Sequence, residues 1–210
     1  MPNSNMKISQ RAIDYIKRKE DWRDHAYRDS KGVPTIGWGH TKGVKMGDRI
    51  NRTQGEDFLK EDIAGTESAM RNRIKTPLNQ NQWDGAGIFA FNAGGLRNSD
   101  GTPTGFLKKL NAGKIDEAFK EELPRWVHVT MPNGKKRVLP GLVTRRGEEV
   151  AIGTTPMGKP IPHIPEYAEM DDTQGGNGQN APIAPPQQND PGLTAHNDAQ
   201  NFQYPFYPNS

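Results

Sequence analysis

Residues 26–41 read Ala26-Tyr27-Arg28-Asp29-Ser30-Lys31-Gly32-Val33-Pro34-Thr35-Ile36-Gly37-Trp38-Gly39-His40-Thr41. Short β-prone pieces broken by Gly and Pro, with Ser30-Lys31-Gly32 as a turn, predict a small hairpin or three-stranded sheet. Upstream, Ser9 is placed to cap a first helix whose apolar face carries Ile13 and Ile16. That helix is expected to end soon after Trp22, where the pattern changes. Downstream the period lengthens. Thr53 and Glu56 have capping-box spacing, and Leu59, Ile63, Met70 and Ile74 recur on one helical face, predicting a long helix that ends before Pro77. Asn79 caps the next helix, through Trp83, Ala86, Ala90 and Phe91, which Gly94-Gly95 stops. Thr104 opens a shorter helix through Leu107 and Leu110, and Ile115 to Leu123 forms another. Val127-His128-Val129 and Arg137-Val138-Leu139, flanking Pro132-Asn133-Gly134, suggest a late hairpin, with a last helix after Thr144. The expected fold is α+β with segregated parts: a small β-sheet lobe and a larger helical lobe joined by the long helix, with a groove between them.

Composition divides the chain near residue 155. Residues 1–155 hold 27 basic and 19 acidic residues, a net of +8, whereas residues 156–210 hold 1 and 6, a net of −5. The second segment also carries 10 of the 17 prolines and few large aliphatics. We therefore read a globular domain over 1–155 and a Pro/Gly/Asn/Gln-rich acidic tail over 156–210, low in complexity and poor in the apolar surface that offsets chain entropy. Its end, Asn201-Phe202-Gln203-Tyr204-Pro205-Phe206-Tyr207-Pro208, is aromatic and Pro-rich, fitting either an interaction peptide or a plain linker. The chain has no cysteine, which excludes disulfides, zinc–thiolate sites and thiol nucleophiles. Five histidines without ligand spacing give no metal site. The basic charges are scattered among acids without a nucleic-acid motif, so a solvated face explains them better than a nucleic-acid partner. No run approaches the ~20 apolar residues of a membrane anchor. The N-terminus lacks the apolar core of a signal peptide, so the expectation is synthesis in the cytoplasm and delivery by other means.

The chemistry centres on two carboxyls. Ile13, Ile16 and Glu20 fall at i, i+3 and i+7, so Glu20 shares the apolar face of the first helix despite its charged neighbours Lys17-Arg18-Lys19. A carboxyl set against a core is held toward its neutral form, the property a general acid needs. Asp29, nine residues on, would by itself be a turn-former. Together the two can flank a groove wide enough for a sugar chain. Glycoside hydrolysis uses such a pair, one protonating the leaving oxygen and the other serving the opposite face of the ring; spacing alone decides neither retention nor inversion.

Glu20, Asp29 and Thr35, spaced E-x8-D-x5-T and followed by T-I-G-W-G-H-T, resemble the phage-type lysozymes of glycoside hydrolase family 24. Ala26-Tyr27-Arg28-Asp29 fits their A-Y-x-D element. The likeness continues through Phe89-Ala90-Phe91-Asn92-Ala93-Gly94, Phe106-Leu107-Lys108-Lys109-Leu110-Asn111, Arg125-Trp126 and Gly141-Leu142-Val143-Thr144-Arg145-Arg146-Gly147-Glu148, covering roughly residues 7–153. The resemblance implies a muramidase that cuts the β-1,4 bond between N-acetylmuramic acid and N-acetylglucosamine in peptidoglycan, with inversion and without a cofactor. It makes Glu20 the proton donor, Asp29 the group that orients water or stabilises the sugar cation, and Thr35 a holder of that water. It implies sugar contacts at Thr41, Phe91 and Asn92. His40 is implied to be structural, and one of Arg145 and Arg146 to restrain Glu20. Asp21 departs from the pattern, since relatives usually carry Gly after the acid. The rival function is a lysozyme-like structural or binding component of a phage tail or secretion apparatus. Phage endolysin, tail-mounted lysozyme and secreted effector all share this chemistry, and the tail is the segment that would attach to a virion or secretion component.

Overall fold

A computed structural model of the chain describes residues 2–29, 32–130 and 134–161. Helix α1 (Gln10–Lys19) starts where Ser9 Oγ accepts the Ala12 N–H at 3.3 Å. Ser9 is itself pinned by Asp84, whose oxygens accept its N–H at 2.9 Å and its hydroxyl at 2.6 Å. The helix is shorter than its sequence suggests. It stops at Lys19, and Glu20 is the extended C-cap (φ −103°, ψ 121°), its N–H still donating to Ile16 O at 2.9 Å. Tyr15, with Ala12 and Ile16, fills the buried face, while Ile13 is only half-buried.

Strands β1 (Arg23–Arg28) and β2 (Pro34–Gly37) pair antiparallel, with Tyr27 opposite Thr35 and an irregularity between Arg23 and Tyr27. This sheet has no third strand among the described residues. Isolated bridges, His25 to Arg49 and Ile36 to His40, take its place. The second closes a turn in which Gly37 and Gly39 adopt φ of 68° and 95°, conformations a side chain would strain.

Helix α2 (Arg52–Arg73) runs 22 residues, about 33 Å, away from this small sheet. Its capping box is Asn51 and Gln54, not Thr53 and Glu56. Asn51 Oδ1 accepts the Gln54 N–H and Gln54 Oε1 accepts the Asn51 N–H, both at 2.9 Å. Helix α3 (Gln80–Asn92) begins with the same device at Asn79 and Gln82, and ends at Gly94 and Gly95, φ 69° and 99°. Ten of its thirteen residues are buried, so α3 is the axis of the helical lobe.

Helix α4 (Gly105–Asn111) is capped by Thr104. The segment read as one helix over Ile115–Leu123 instead divides into α5 (Ile115–Glu117), a π-turn over residues 118–122 and a 3₁₀ turn over 123–125. Pro124, with no N–H and a ring that crowds the preceding turn, accounts for the change of winding. The late hairpin forms as β3 (His128–Thr130) and β4 (Lys136–Val138); Pro132 and Asn133 of its expected turn lie outside the described residues. Helix α6 (Pro140–Thr154) begins earlier than the expectation of a start after Thr144, because Pro140 opens it at a first-turn position where no N–H is needed.

The core packs Trp83, Phe89, Phe106 and Phe119 at the crossing of α3, α4 and α6, with Phe106 edge-on to both Phe89 and Phe119. Close approach depends on two glycines. A Cβ at Gly153 would lie 2.1 Å from the Phe119 ring and one at Gly85 3.0 Å from the Gly153 nitrogen. Ile161, six residues beyond the boundary read from composition, is 5% exposed and part of this core. The tail from residue 162 lies outside the described residues. Among those described, no helix is long and apolar enough to cross a membrane. The architecture is α+β: a small β lobe, a long helix and a helical lobe.

Candidate active site

Glu20 owes its place to the end of α1. The extended C-cap turns its side chain inward, where it is 6% exposed although Lys17, Arg18 and Lys19 precede it. Arg145 Nη2 donates to Glu20 Oε1 at 3.1 Å and to the Lys19 carbonyl at 3.2 Å, so one guanidinium fixes both the acid and the helix end carrying it. Arg145 is thus the arginine that approaches Glu20. Arg146 turns to α3, where it donates to Asn92 Oδ1 and pairs with Glu149 at 3.1 Å.

Asp29 directly follows β1 and is as buried as Glu20, at 6% exposure. Its own turn holds it. The Val33 N–H donates to Asp29 Oδ1 at 2.7 Å, the Asp29 N–H to Val33 O at 3.0 Å, and the Gly32 N–H to Asp29 O at 2.9 Å. Thr35, fully buried on β2, donates its hydroxyl to the same Val33 carbonyl at 3.0 Å. Its proton is therefore committed, and toward a water the hydroxyl acts as an acceptor. Val33 joins the two side chains, its N–H serving Asp29 and its carbonyl serving Thr35.

Tyr27, to which sequence reading gave no role, lies across the sheet from Thr35. Its hydroxyl is pushed up to about 12, first by burial, then by the negative charge of Glu20 and, more weakly, of Asp29 and Asp21, while Arg23 opposes. Both carboxyls thus act on one half-buried phenol, which stays a neutral donor across the physiological range. The clue in the sequence was alternation: two residues before Asp29, Tyr27 falls on the same face of β1.

His40 binds the small lobe to the long helix. Its Nδ1 meets Asp62 at 3.0 Å, its Nε2 meets Lys42 O at 3.0 Å, and its ring stacks on Phe58 at 4.3 Å. Burial alone lowers its pKa, but the Asp62 hydrogen bond and charge outweigh that and raise it above 6.5. Both ring nitrogens face acceptors, an arrangement that suits the charged imidazole. Thr41, the next residue, is half-buried, as is Phe91, which packs against the core beside the buried Asn92. No group of three or more His, Asp or Glu residues among those described could hold a metal ion.

The sequence profile of the phage lysozyme family matches residues 17–149, a span from the end of α1 into α6 that includes every side chain just placed. The chain belongs to the phage lysozyme family. It is 40% identical over 147 residues to the endolysin of Acyrthosiphon pisum secondary endosymbiont phage 1, covering 70% of this chain and 97% of that relative. Among solved structures, the muramidase domain of SpmX from Asticaccaulis excentricus superposes with a TM-score of 0.65 at 30% identity, over 72% of this chain and all of that one. The endolysin from Escherichia coli O157:H7 phage FAHEc1 does so with a TM-score of 0.60 at 34% identity, over 72% of this chain and 95% of that one.

This phage lysozyme domain carries a second set of charges beside the site, some half-buried and one fully buried. Lys19 donates to Glu148 at 2.9 Å, and the Tyr15 hydroxyl also donates to Glu148. Burial first, and then the Glu148 charge, raise the Tyr15 pKa far above its ordinary value. Glu149 is fully buried, and burial pushes its carboxyl up to about 7 against the pull of Arg146 and Arg145. Sequence reading singled out the two arginines but not the two glutamates, because the partners of Glu148 lie on α1, more than a hundred residues away, and Glu149 pairs with Arg146 in a setting that only the packing of α6 against α3 buries.

Proposed function

We propose that this protein is a muramidase that hydrolyses the β-1,4 bond between N-acetylmuramic acid and N-acetylglucosamine in peptidoglycan. The observation that carries the reading is the pair of buried carboxyls held by different parts of the fold. Glu20 is clamped by Arg145, and Asp29 is locked in its own turn beside Thr35. Family membership and the relatives described as endolysins or as a muramidase domain support it.

In this reading Glu20 protonates the glycosidic oxygen as the bond to the anomeric carbon breaks. Asp29 takes the proton of the attacking water, or stabilises the positive charge that develops on the sugar. Thr35 accepts a hydrogen bond from that water through the lone pairs left after its donation to Val33. Tyr27 remains uncharged under the influence of both acids, and Thr41, Phe91 and Asn92 line the sugar groove. Inversion is the course the family resemblance implies, and the configuration of the first-formed product identifies it. The chain acts in the cell wall after delivery by a membrane pore, a secretion apparatus or a virion. We assign residues 162–210 to attachment in that delivery.

Wild-type protein should release reducing ends from purified peptidoglycan. Glu20→Gln should lose about 10²- to 10⁴-fold of that activity, the range for a general acid, with little change in unfolding temperature. Equal activity in the two proteins overturns the assignment of Glu20; a folded, inactive wild type supports a purely binding or structural role. A truncation that tests the tail should follow Ile161, because cutting at residue 155 would strip a side chain from the core.

A further inference from the structure

Four charged side chains near the middle of α6, Arg145, Arg146, Glu148 and Glu149, form two i, i+3 pairs. Residues three apart share a helix face, whereas neighbours point about 100° apart. The pair Arg145 and Glu148 faces α1: the arginine holds Glu20 and the glutamate receives Lys19 and Tyr15. The pair Arg146 and Glu149 faces α3 instead, where it is deeply buried, at 2% and 0% exposure.

The Arg146 guanidinium is fixed on three sides. Glu149 Oε2 lies 3.1 Å from Nη1, Asn92 Oδ1 accepts from Nη2, and the plane sits over the Phe89 ring at 5.0 Å. Phe89 and Asn92 are themselves three residues apart on α3, so one face of α3 receives the planar fork. A guanidinium has five N–H donors in rigid geometry and no acceptor. The Asn92 atom facing it must therefore be the carbonyl oxygen, since a flipped amide would set N–H against N–H.

We propose that Arg146 and Glu149 are positioning residues that lock the side-chain amide of Asn92 in one orientation for a sugar acceptor group. The inference rests on the reading of Asn92 as part of the glycan groove. A buried ion pair is weak evidence for stability, because well-packed apolar residues commonly replace one without loss. What apolar residues cannot replace is the donor that orients the amide. Adjacent arginines on one helix thus hold the proposed acid and the proposed sugar contact, which ties both to the docking of α6.

The test combines a mutant cycle with a spectroscopic signature. Glu149→Gln keeps shape and an acceptor but removes the charge; Arg146→Lys keeps the charge but removes the fork. Each should raise KM for soluble peptidoglycan fragments about three- to tenfold, the worth of roughly one hydrogen bond, with kcat within about twofold. Asn92→Ala should raise KM similarly, and neither change should add to it in that background. The Asn92 side-chain amide resonances should move in Glu149→Gln without any substrate present. The double replacement Arg146→Met with Glu149→Leu should keep the unfolding temperature and still raise KM. Full additivity with Asn92→Ala, unmoved Asn92 resonances, or an unchanged KM in the apolar double variant would overturn the proposal. Wild-type protein that cuts no peptidoglycan would defeat the muramidase reading, and the resonances would still decide whether the pair fixes Asn92.

Discussion

Glu20 and Asp29 are equally buried, yet opposite kinds of structure hold them. Glu20 depends on a guanidinium 125 residues away, delivered by the docking of α6 against the end of α1. Asp29 depends on Val33, four residues away, and on a turn that closes as soon as β1 meets β2. Local closure costs little chain entropy, whereas long-range docking requires the whole helical lobe to be in place. The proposed water-handling side of the site is thus set by a hairpin, and the proposed acid side by the global fold. Perturbations of the two sides should separate activity from stability in different ways.

Replacement of Glu20 itself aside, the largest effect on activity is expected on the local side. Asp29→Asn retains an oxygen to accept the Val33 N–H, so the turn should survive and the unfolding temperature should stay near wild type. Loss of the charge should nonetheless lower kcat/KM by about 10²-fold, the scale of a preorganised electrostatic contribution. Reducing-end release and thermal unfolding measured on one sample check this. A large drop in unfolding temperature would mean that the turn needs the charge and not merely the acceptor. On the long-range side Arg145→Ala should do both kinds of damage. It frees the Glu20 side chain, lowering activity about tenfold, and leaves a buried carboxyl without its cation, costing about 3 kcal/mol of stability. The amide shift of Val33 should stay put in this variant, and a shift there would show that the two holds are coupled.

How much of this was legible in the sequence follows the same division. Thr104 and Asn79 were readable as caps because a cap involves three or four consecutive residues. At the start of α2 two such signals overlap, Asn51 with Gln54 and Thr53 with Glu56, and the structure uses the earlier one. Asp29 was readable beside a turn and Thr35 as a strand residue, although Val33 as their common partner was not visible. Glu20 was expected on a helix face, and it is buried, but through an extended C-cap just past the helix end. The choice between Arg145 and Arg146 could not be made from spacing, because the rotation of α6 about its axis is set by packing at Gly85 and Gly153. Glu149 was invisible for the same reason: only the docked α3 buries it.

The smallest effect tests whether the long-range side alone responds to pH. Glu149 is raised from 4.5 to about 7, and His40 is raised above 6.5. For both, the folded state holds its proton more tightly than the unfolded chain. Their contribution to stability is therefore fully present below the unfolded values and is lost as pH rises through the folded ones. The groups held low, Asp24, Glu61, Asp100 and Glu121, are exposed surface partners whose contributions fade only as pH falls below about 4. Among the described residues, the balance between about pH 5.5 and pH 8 thus belongs to Glu149 and His40. Denaturant unfolding should give a protein more stable at pH 5.5 by on the order of 1 kcal/mol. Glu149→Gln removes one of the two titrations and should flatten most of that difference, leaving the His40 share. An undiminished slope in Glu149→Gln would assign the pH response to the His40–Asp62 link between the small lobe and α2, and would make the α6 docking of Glu20 insensitive to pH.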